Sequence, residues 1–72
     1  MEKEQMAEAI REAVENIPNE HYKIAVKLKL DGYKLKEIAD IVDKTIVAVK
    51  NDFKRGKHVL KKNLQHMGYI IK

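Results

Sequence analysis

A short segment near the middle of the chain carries side chains that could contact the bases of a nucleic acid. Their spacing of one, three and four residues places them on one face of a helix: Val47, Lys50, Asn51 and Lys54. An asparagine amide can form two hydrogen bonds with adenine, a lysine can reach guanine or a phosphate, and a valine can touch a thymine methyl group. These four residues are therefore the predicted base-reading surface for double-stranded DNA.

Two amphipathic helices joined by a short turn would position this surface. Apolar residues at the i, i+3, i+4, i+7 interval predict a helix over 35–42: Leu35, Ile38, Ala39 and Val42. Residues 43–45 interrupt this pattern, and Thr45 is a favourable N-cap for a second helix over 46–66. Ala39 is expected where the two helices cross, because a small side chain lets the backbones approach closely.

The second of these helices separates into a buried face and a basic face when it is projected at about 100° per residue. The predicted buried seam consists of Ile46, Val49, Phe53, Gly56, Leu60, Leu64 and Met67. A lysine row on a helix is usually a solvated face, but here it starts directly after a short turn, and this favours DNA contact. The candidate phosphate contacts are Lys44, Thr45, Lys57 and Lys61.

The first part of the chain predicts two further helices. A helical stripe indicates a first helix over 2–17, and it consists of Met6, Ala9, Ile10, Ala13, Val14 and Ile17. Pro18 ends that helix and suits the first turn of the next one, over 18–31. Gly32 follows as a residue that can adopt positive φ. The prediction is an all-α fold, with four helices in a single helix-turn-helix domain over 1–72.

Composition excludes several function classes. The chain has no cysteine and no serine, so neither a disulfide nor a thiolate zinc site is possible, and Thr45 is the only aliphatic hydroxyl. The histidines lack metal-ligand spacing, and there is no glycine-rich phosphate loop. No apolar run approaches the roughly 20 residues of a membrane span, and the start lacks a signal peptide's pattern. We therefore expect a cytoplasmic protein with no enzyme activity, cofactor, metal or membrane contact.

Charge is distributed unevenly along the chain. Residues 1–20 carry six acids and two bases, whereas residues 21–72 carry thirteen bases and five acids. The basic part favours a polyanion through counterion release. An acidic first helix would be repelled by the same polyanion and is expected to point away from it, free for a protein partner.

Several short motifs occur in an order that resembles region 4 of sigma-70-type RNA polymerase sigma factors, most closely the extracytoplasmic-function class. They are Ile17-Pro18, Asp31-Gly32, Glu37-Ile38-Ala39, Thr45, Val49-Lys50 and the basic run 54–62. The resemblance covers roughly residues 4–64. It implies an all-helical domain whose recognition helix reads a promoter −35 element in the major groove. It also implies docking on the beta flap of RNA polymerase or on an anti-sigma protein.

The chain departs from the family pattern at four positions. Lys34 replaces a common Ser or Thr, Asp43 a common glycine, Ala48 a frequent threonine, and Asp52 a residue that is often basic. Aspartate tolerates a left-handed backbone, so the turn can survive. An acid near phosphates lowers affinity unless it pairs with a lysine or accepts a hydrogen bond from cytosine. No −10-binding domain precedes the motif, so the sequence leaves open an excised domain or a complete small regulator.

Two other interpretations stay open. A dimeric helix-turn-helix regulator, similar to the LuxR type, would use the first helix or the apolar tail Met67–Ile71 as its homodimer interface. A sigma-mimicking protein-interaction module would not read DNA, and Asp52 and the glutamates of the first helix favour it mildly. Charge reversal at Lys50 and Lys54 would discriminate, because it should abolish only DNA binding.

Overall fold

The computed structural model describes residues 2–69, with side chains from residue 7 onward. Within this range the regular secondary structure consists of four helices. They are α1 (Glu2–Glu15), α2 (Glu20–Leu30), α3 (Leu35–Val42) and α4 (Ile46–His66). The all-α prediction is confirmed, and the bounds of α3 and α4 coincide with the predicted ranges. Within the described ranges, none of these helices has the length and apolar character needed to cross a membrane.

The junction between α1 and α2 differs from the prediction. α1 ends two residues earlier than expected, and α2 begins at Glu20 instead of Pro18. The cause is Asn19, whose Oδ1 accepts hydrogen bonds from the backbone amides of His21 at 2.9 Å and Tyr22 at 3.2 Å. Asparagine is among the strongest N-cap residues. The prediction that Pro18 occupies the first helical turn is therefore wrong, and the proline lies in the preceding turn.

Two residues with positive φ end α2 and α3. Gly32 has a φ of 100°. Its amide donates to the Lys29 carbonyl and the Tyr33 amide donates to the Leu28 carbonyl, both at 3.1 Å, which is the Schellman pattern. Asp43 has a φ of 56° at the end of α3. The sequence predicted both left-handed positions, and both are confirmed.

The core lies along α4, which packs against each of the other three helices. The buried residues of the core form three small clusters: Ala9, Ala13 and Leu64; Val14, Ile17 and Val26; and Ile38, Ala39 and Val49. The middle cluster is covered by the half-buried Phe53, Val59 and Leu60 of α4. α4 therefore closes all three clusters, so its exposed face is held relative to the rest of the molecule.

The predicted seam of α4 is confirmed except at its first residue. Val49, Gly56 and Leu64 are buried, and Phe53, Leu60 and Met67 are half-buried. Ile46 is 48% exposed. The prediction for Ile46 is wrong because it is the first residue of α4, and the cluster that holds this end of the helix is closed one turn later by Val49.

The residues after α4 fold back towards α1. The Tyr69 amide donates to the Leu64 carbonyl at 2.9 Å. Met67 and Tyr69 pack against the cluster that contains Ala9 and Ala13. This part of the predicted apolar tail is therefore covered within the chain, while Ile70 and Ile71 lie outside the described residues.

Candidate nucleic-acid interface

Side-chain oxygens bind backbone amides at the start of both α3 and α4. Thr45 Oγ1 accepts a hydrogen bond from the Ala48 amide at 3.1 Å, so the predicted N-cap of α4 is confirmed. Lys34 has no side-chain acceptor, but the Glu37 carboxylate accepts from the Lys34 backbone amide at 2.9 Å. This is the returning half of a capping box, in which the carboxylate at the third helical position binds the amide of the N-cap residue.

The four predicted base-reading residues lie together on the exposed face of α4. Val47 is 68% exposed, and Lys50, Asn51 and Lys54 are exposed as well. In the described part of the chain, no side-chain hydrogen bond or ion pair engages any of them. Their donors, acceptors and methyl groups are all available to a ligand.

The opposite face of the same turns is anchored to α3. Val49 is 1% exposed and shares a cluster with Ile38 and Ala39. Leu35 and Val42 pack against this cluster from α3. The prediction that the small Ala39 lies where α3 and α4 meet is therefore confirmed. Burial of Val49 requires that Val47 and Asn51, two residues to either side, face away from α3.

The predicted phosphate contact Lys44 has partners within the chain. Its Nζ donates to Asp52 Oδ2 at 2.9 Å and lies 2.8 Å from His21 Nδ1. That nitrogen accepts from the ammonium when the imidazole proton is on Nε2. The side chains of Lys44 and Asp52 are only 28% and 19% exposed. The contact joins α2, the turn and α4, and it supplies the lysine partner that Asp52 needs beside a polyanion.

The other predicted phosphate contacts lie further along α4. Lys57 is exposed, and its Nζ is 5.5 Å from the centroid of the Phe53 ring, within the range of a cation–π contact. Lys61 is exposed one turn later. Thr45 is also exposed, although its hydroxyl is engaged in capping.

One basic residue of α4 was missed by the sequence reasoning. Arg55 Nη1 donates to the Tyr22 Oη of α2 at 3.3 Å, and this hydrogen bond raises the pKa of the guanidinium. The basic run 54–62 was visible in the sequence. The tyrosine partner was not, because it lies in another helix 33 residues away.

No protein family, curated protein or solved structure matches this chain.

Proposed function

We propose that this chain binds double-stranded DNA in a sequence-specific manner, with α3, the turn 43–45 and α4 acting as a helix-turn-helix. The observation that carries the proposal is the proposed reading row of α4, which consists of the exposed Val47, Lys50, Asn51 and Lys54 and lies on the side of the helix away from the buried Val49. Val47 is 68% exposed, so its apolar side chain contributes little to folding. The same methyl groups suit contact with a thymine methyl in a groove.

The first turns of α4 fit the usual geometry of a recognition helix. The major groove of B-DNA is about 12 Å wide and admits an α-helix. In helix-turn-helix proteins, residues near the N-terminus of the second helix contact base edges. Asn51 would bind adenine, and Lys50 and Lys54 would bind guanine or nearby phosphates.

The ion pairs within the chain leave the positive charge of α4 available. The three pairs among the described residues use Lys23, Lys27 and Lys44 as their basic partners. None of these belongs to α4, whose exposed bases are Lys50, Lys54, Arg55, Lys57, Lys61 and Lys62. A helix with one unpaired basic face favours a polyanion, because each phosphate that it neutralises releases condensed counterions.

The resemblance to sigma region 4 directs the proposal towards a promoter −35-like target in transcription. Docking on an RNA polymerase flap or on an anti-sigma protein follows from the resemblance alone. Asp52 favoured a protein-binding mimic, but it is paired with Lys44. This pairing supports the DNA-reading interpretation, because the acid next to the reading row is neutralised.

Selection from randomised DNA duplexes tests the proposal. The purified chain is compared with a double variant, Lys50→Glu with Lys54→Glu, at near-physiological salt. The matched control is Arg11→Glu with Lys29→Glu, which makes the same charge change at exposed basic residues of α1 and α2, outside the helix-turn-helix. We expect wild type and control to enrich one short site and the first variant to enrich none.

Other results of the selection have distinct meanings. An inverted repeat would identify a dimeric regulator of the LuxR kind. If wild type enriches no site, or if both double variants behave like wild type, the base-reading proposal is wrong, and a protein partner becomes the better explanation.

A further inference from the structure

The predicted phosphate contacts of α4 lie on one side of its reading row. At about 100° per residue, Lys57 and Lys61 lie roughly 80° and 40° to one side of Val47. Arg55 lies roughly 80° to the other side on the same projection. A helix in the major groove has a phosphate backbone on both sides, because the two DNA strands form the two walls of the groove. On the second side, the exposed bases of α4 are Arg55 and, two helical turns later, Lys62.

Arg55 is held on that second side by α2. Its Nη1 donates to the Oη of Tyr22 at 3.3 Å. Tyr22 is half-buried and packs against the cluster that contains Val26. Next to Arg55, a Cβ at Gly56 would lie 2.6 Å from Val26 Cγ2 and 2.8 Å from the Tyr22 carbonyl oxygen. The two helices thus meet closely at this point, and their contact fixes the phenol beside the guanidinium.

The hydrogen bond with Tyr22 leaves the charge of Arg55 and most of its N–H donors free. A guanidinium has five N–H donors, and the phenol oxygen accepts one of them. A neutral phenol does not neutralise the arginine as a carboxylate would. None of the three ion pairs in the described part of the chain includes Arg55. The hydrogen bond with Tyr22 raises the arginine pKa, so it favours the charged form.

We propose that Arg55 binds a DNA phosphate on the strand opposite to the one faced by Lys57, and that Tyr22 is its positioning residue. The inference rests on the proposed function. A guanidinium that is already oriented loses less conformational freedom when it binds a phosphate.

A double-mutant cycle tests both roles. Binding of a fluorescent duplex carrying the selected site is measured between about 50 and 200 mM salt. In this range the binding constant falls with about the first power of the salt concentration for each phosphate contact. The proteins are wild type, Arg55→Gln, Tyr22→Phe and the double variant. Tyr22→Phe keeps the ring that packs on Val26, and thermal melts followed by circular dichroism verify folding. Arg11→Gln and Tyr33→Phe are the controls, since both residues are exposed.

The expected effects differ between the two positions. Arg55→Gln should weaken binding by about tenfold and reduce the salt slope by about 0.9, which is the contribution of one phosphate. Tyr22→Phe should weaken binding by about threefold with the slope unchanged, because the charge remains. In the Arg55→Gln background the tyrosine change should have no further effect, and the two controls should match wild type.

Two results would overturn the inference. One is an Arg55→Gln variant with the affinity and salt slope of wild type. The other is a Tyr22→Phe effect that is the same with and without Arg55, because that would make the tyrosine merely structural. If wild type binds no duplex, the proposed function fails and this inference with it. If wild type binds and Arg55→Gln matches it, only this inference fails.

Discussion

Asn51 offers a way to separate base reading from charge attraction at the scale of one residue. Its amide is exposed in the middle of the reading row and is uncharged. We expect Asn51→Ala to reduce the free-energy difference between the preferred base and the others by about 1–3 kcal/mol at one or two base pairs, because a bidentate contact is lost. The salt slope should stay nearly unchanged. Competition titrations with single-base variants of the selected site measure both quantities.

Gln65→Ala is the matched control for Asn51, since it removes another exposed amide from α4 at the far end of the helix. It should leave the base preference as in wild type. An Asn51→Ala protein with intact preference at every position would show that the reading surface lies elsewhere.

Asp52 limits the positive charge near the start of α4 through its ion pair with Lys44. We expect Asp52→Asn to tighten DNA binding, because an acid is removed and Lys44 becomes free to meet a phosphate. The salt slope should steepen by about 0.9 if Lys44 gains one such contact. Fluorescence anisotropy titrations at several salt concentrations measure the change.

Asp40→Asn is the control for this prediction, because it removes one exposed acid from α3 without releasing Lys44. Its salt slope should equal that of wild type. If Asp52→Asn and Asp40→Asn have the same slope, Lys44 does not contact phosphate even when it is free.

Three of the positions at which the sequence differs from the pattern it resembles have a defined local structure. At Lys34, which has no side-chain acceptor, the Glu37 carboxylate accepts from the backbone amide. At Asp43 the backbone is left-handed without a glycine, with a φ of 56°. At Asp52 the acid is neutralised by a lysine. The turn and the starts of α3 and α4 therefore form with these residues in place.

At the scale of elements, the contact between α2 and α4 depends on Gly56. An added Cβ there would lie 2.6 Å from Val26 Cγ2 and 2.8 Å from the Tyr22 carbonyl oxygen. Alanine in a helix gains about 1 kcal/mol over glycine, but overpacking against backbone costs more. We expect Gly56→Ala to lower the free energy of unfolding by about 1–2 kcal/mol, because the helix propensity of alanine offsets part of the overpacking cost, as measured by urea denaturation.

A control at the neighbouring position tests whether alanine in this turn of α4 is destabilising where no other helix approaches. Lys57→Ala places alanine at an exposed position of the same helix, and its unfolding free energy should be within about 0.5 kcal/mol of wild type. A Gly56→Ala protein as stable as wild type would mean that α2 moves away from α4 at little cost.

α4 serves the fold and the proposed interface with different faces. Its buried residues close the three core clusters, whereas its exposed residues carry the reading row and the basic side chains. Variants on the exposed face can therefore change binding without changing stability. This separation is what allows the binding experiments to be interpreted.

At the scale of the whole molecule, the acidic α1 is tied to the basic part of the chain by Glu15. Its carboxylate pairs with Lys23 at 3.0 Å and with Lys27 at 3.5 Å. The hydrogen bond and charge of Lys23, followed by the charge of Lys27, lower the pKa of Glu15. The hydrogen bond with Glu15 raises the pKa of Lys23. The prediction that α1 is free for a protein partner therefore does not extend to this end of the helix.

These shifts define a pH window for the pair. A carboxyl group whose pKa is lowered by folding stabilises the folded state at pH values above its pKa in the unfolded chain. This stabilisation is lost as the pH falls through the pKa of the folded state. A lysine whose pKa is raised by folding stabilises the folded state at pH values below its pKa in the unfolded chain. This stabilisation is lost as the pH rises through the pKa of the folded state. We expect Glu15→Gln to melt at a lower temperature than wild type at pH 7. The difference should vanish in acid, and melts by circular dichroism from pH 7 to pH 2 measure it.

Glu12→Gln removes another exposed acid of α1 and is the control. Its melting temperature should stay close to that of wild type at pH 7, because Glu12 is in none of the three ion pairs among the described residues. A Glu15→Gln protein whose difference from wild type persists unchanged at pH 2 would show that the ion pair is not the cause. Higher salt should reduce the effect, since Glu15 is exposed.

The sequence by itself determined the class of fold, the bounds of α3 and α4 and the exposed row of α4, because these depend on periodicity and on caps formed by neighbouring residues. Only the tertiary structure decided which distant side chains meet. Tyr22 and Arg55 are 33 residues apart, and His21 and Lys44 are 23 apart. Such contacts have no local signal, because they depend on how closely whole helices pack. The same packing left Ile46 exposed and covered Tyr69.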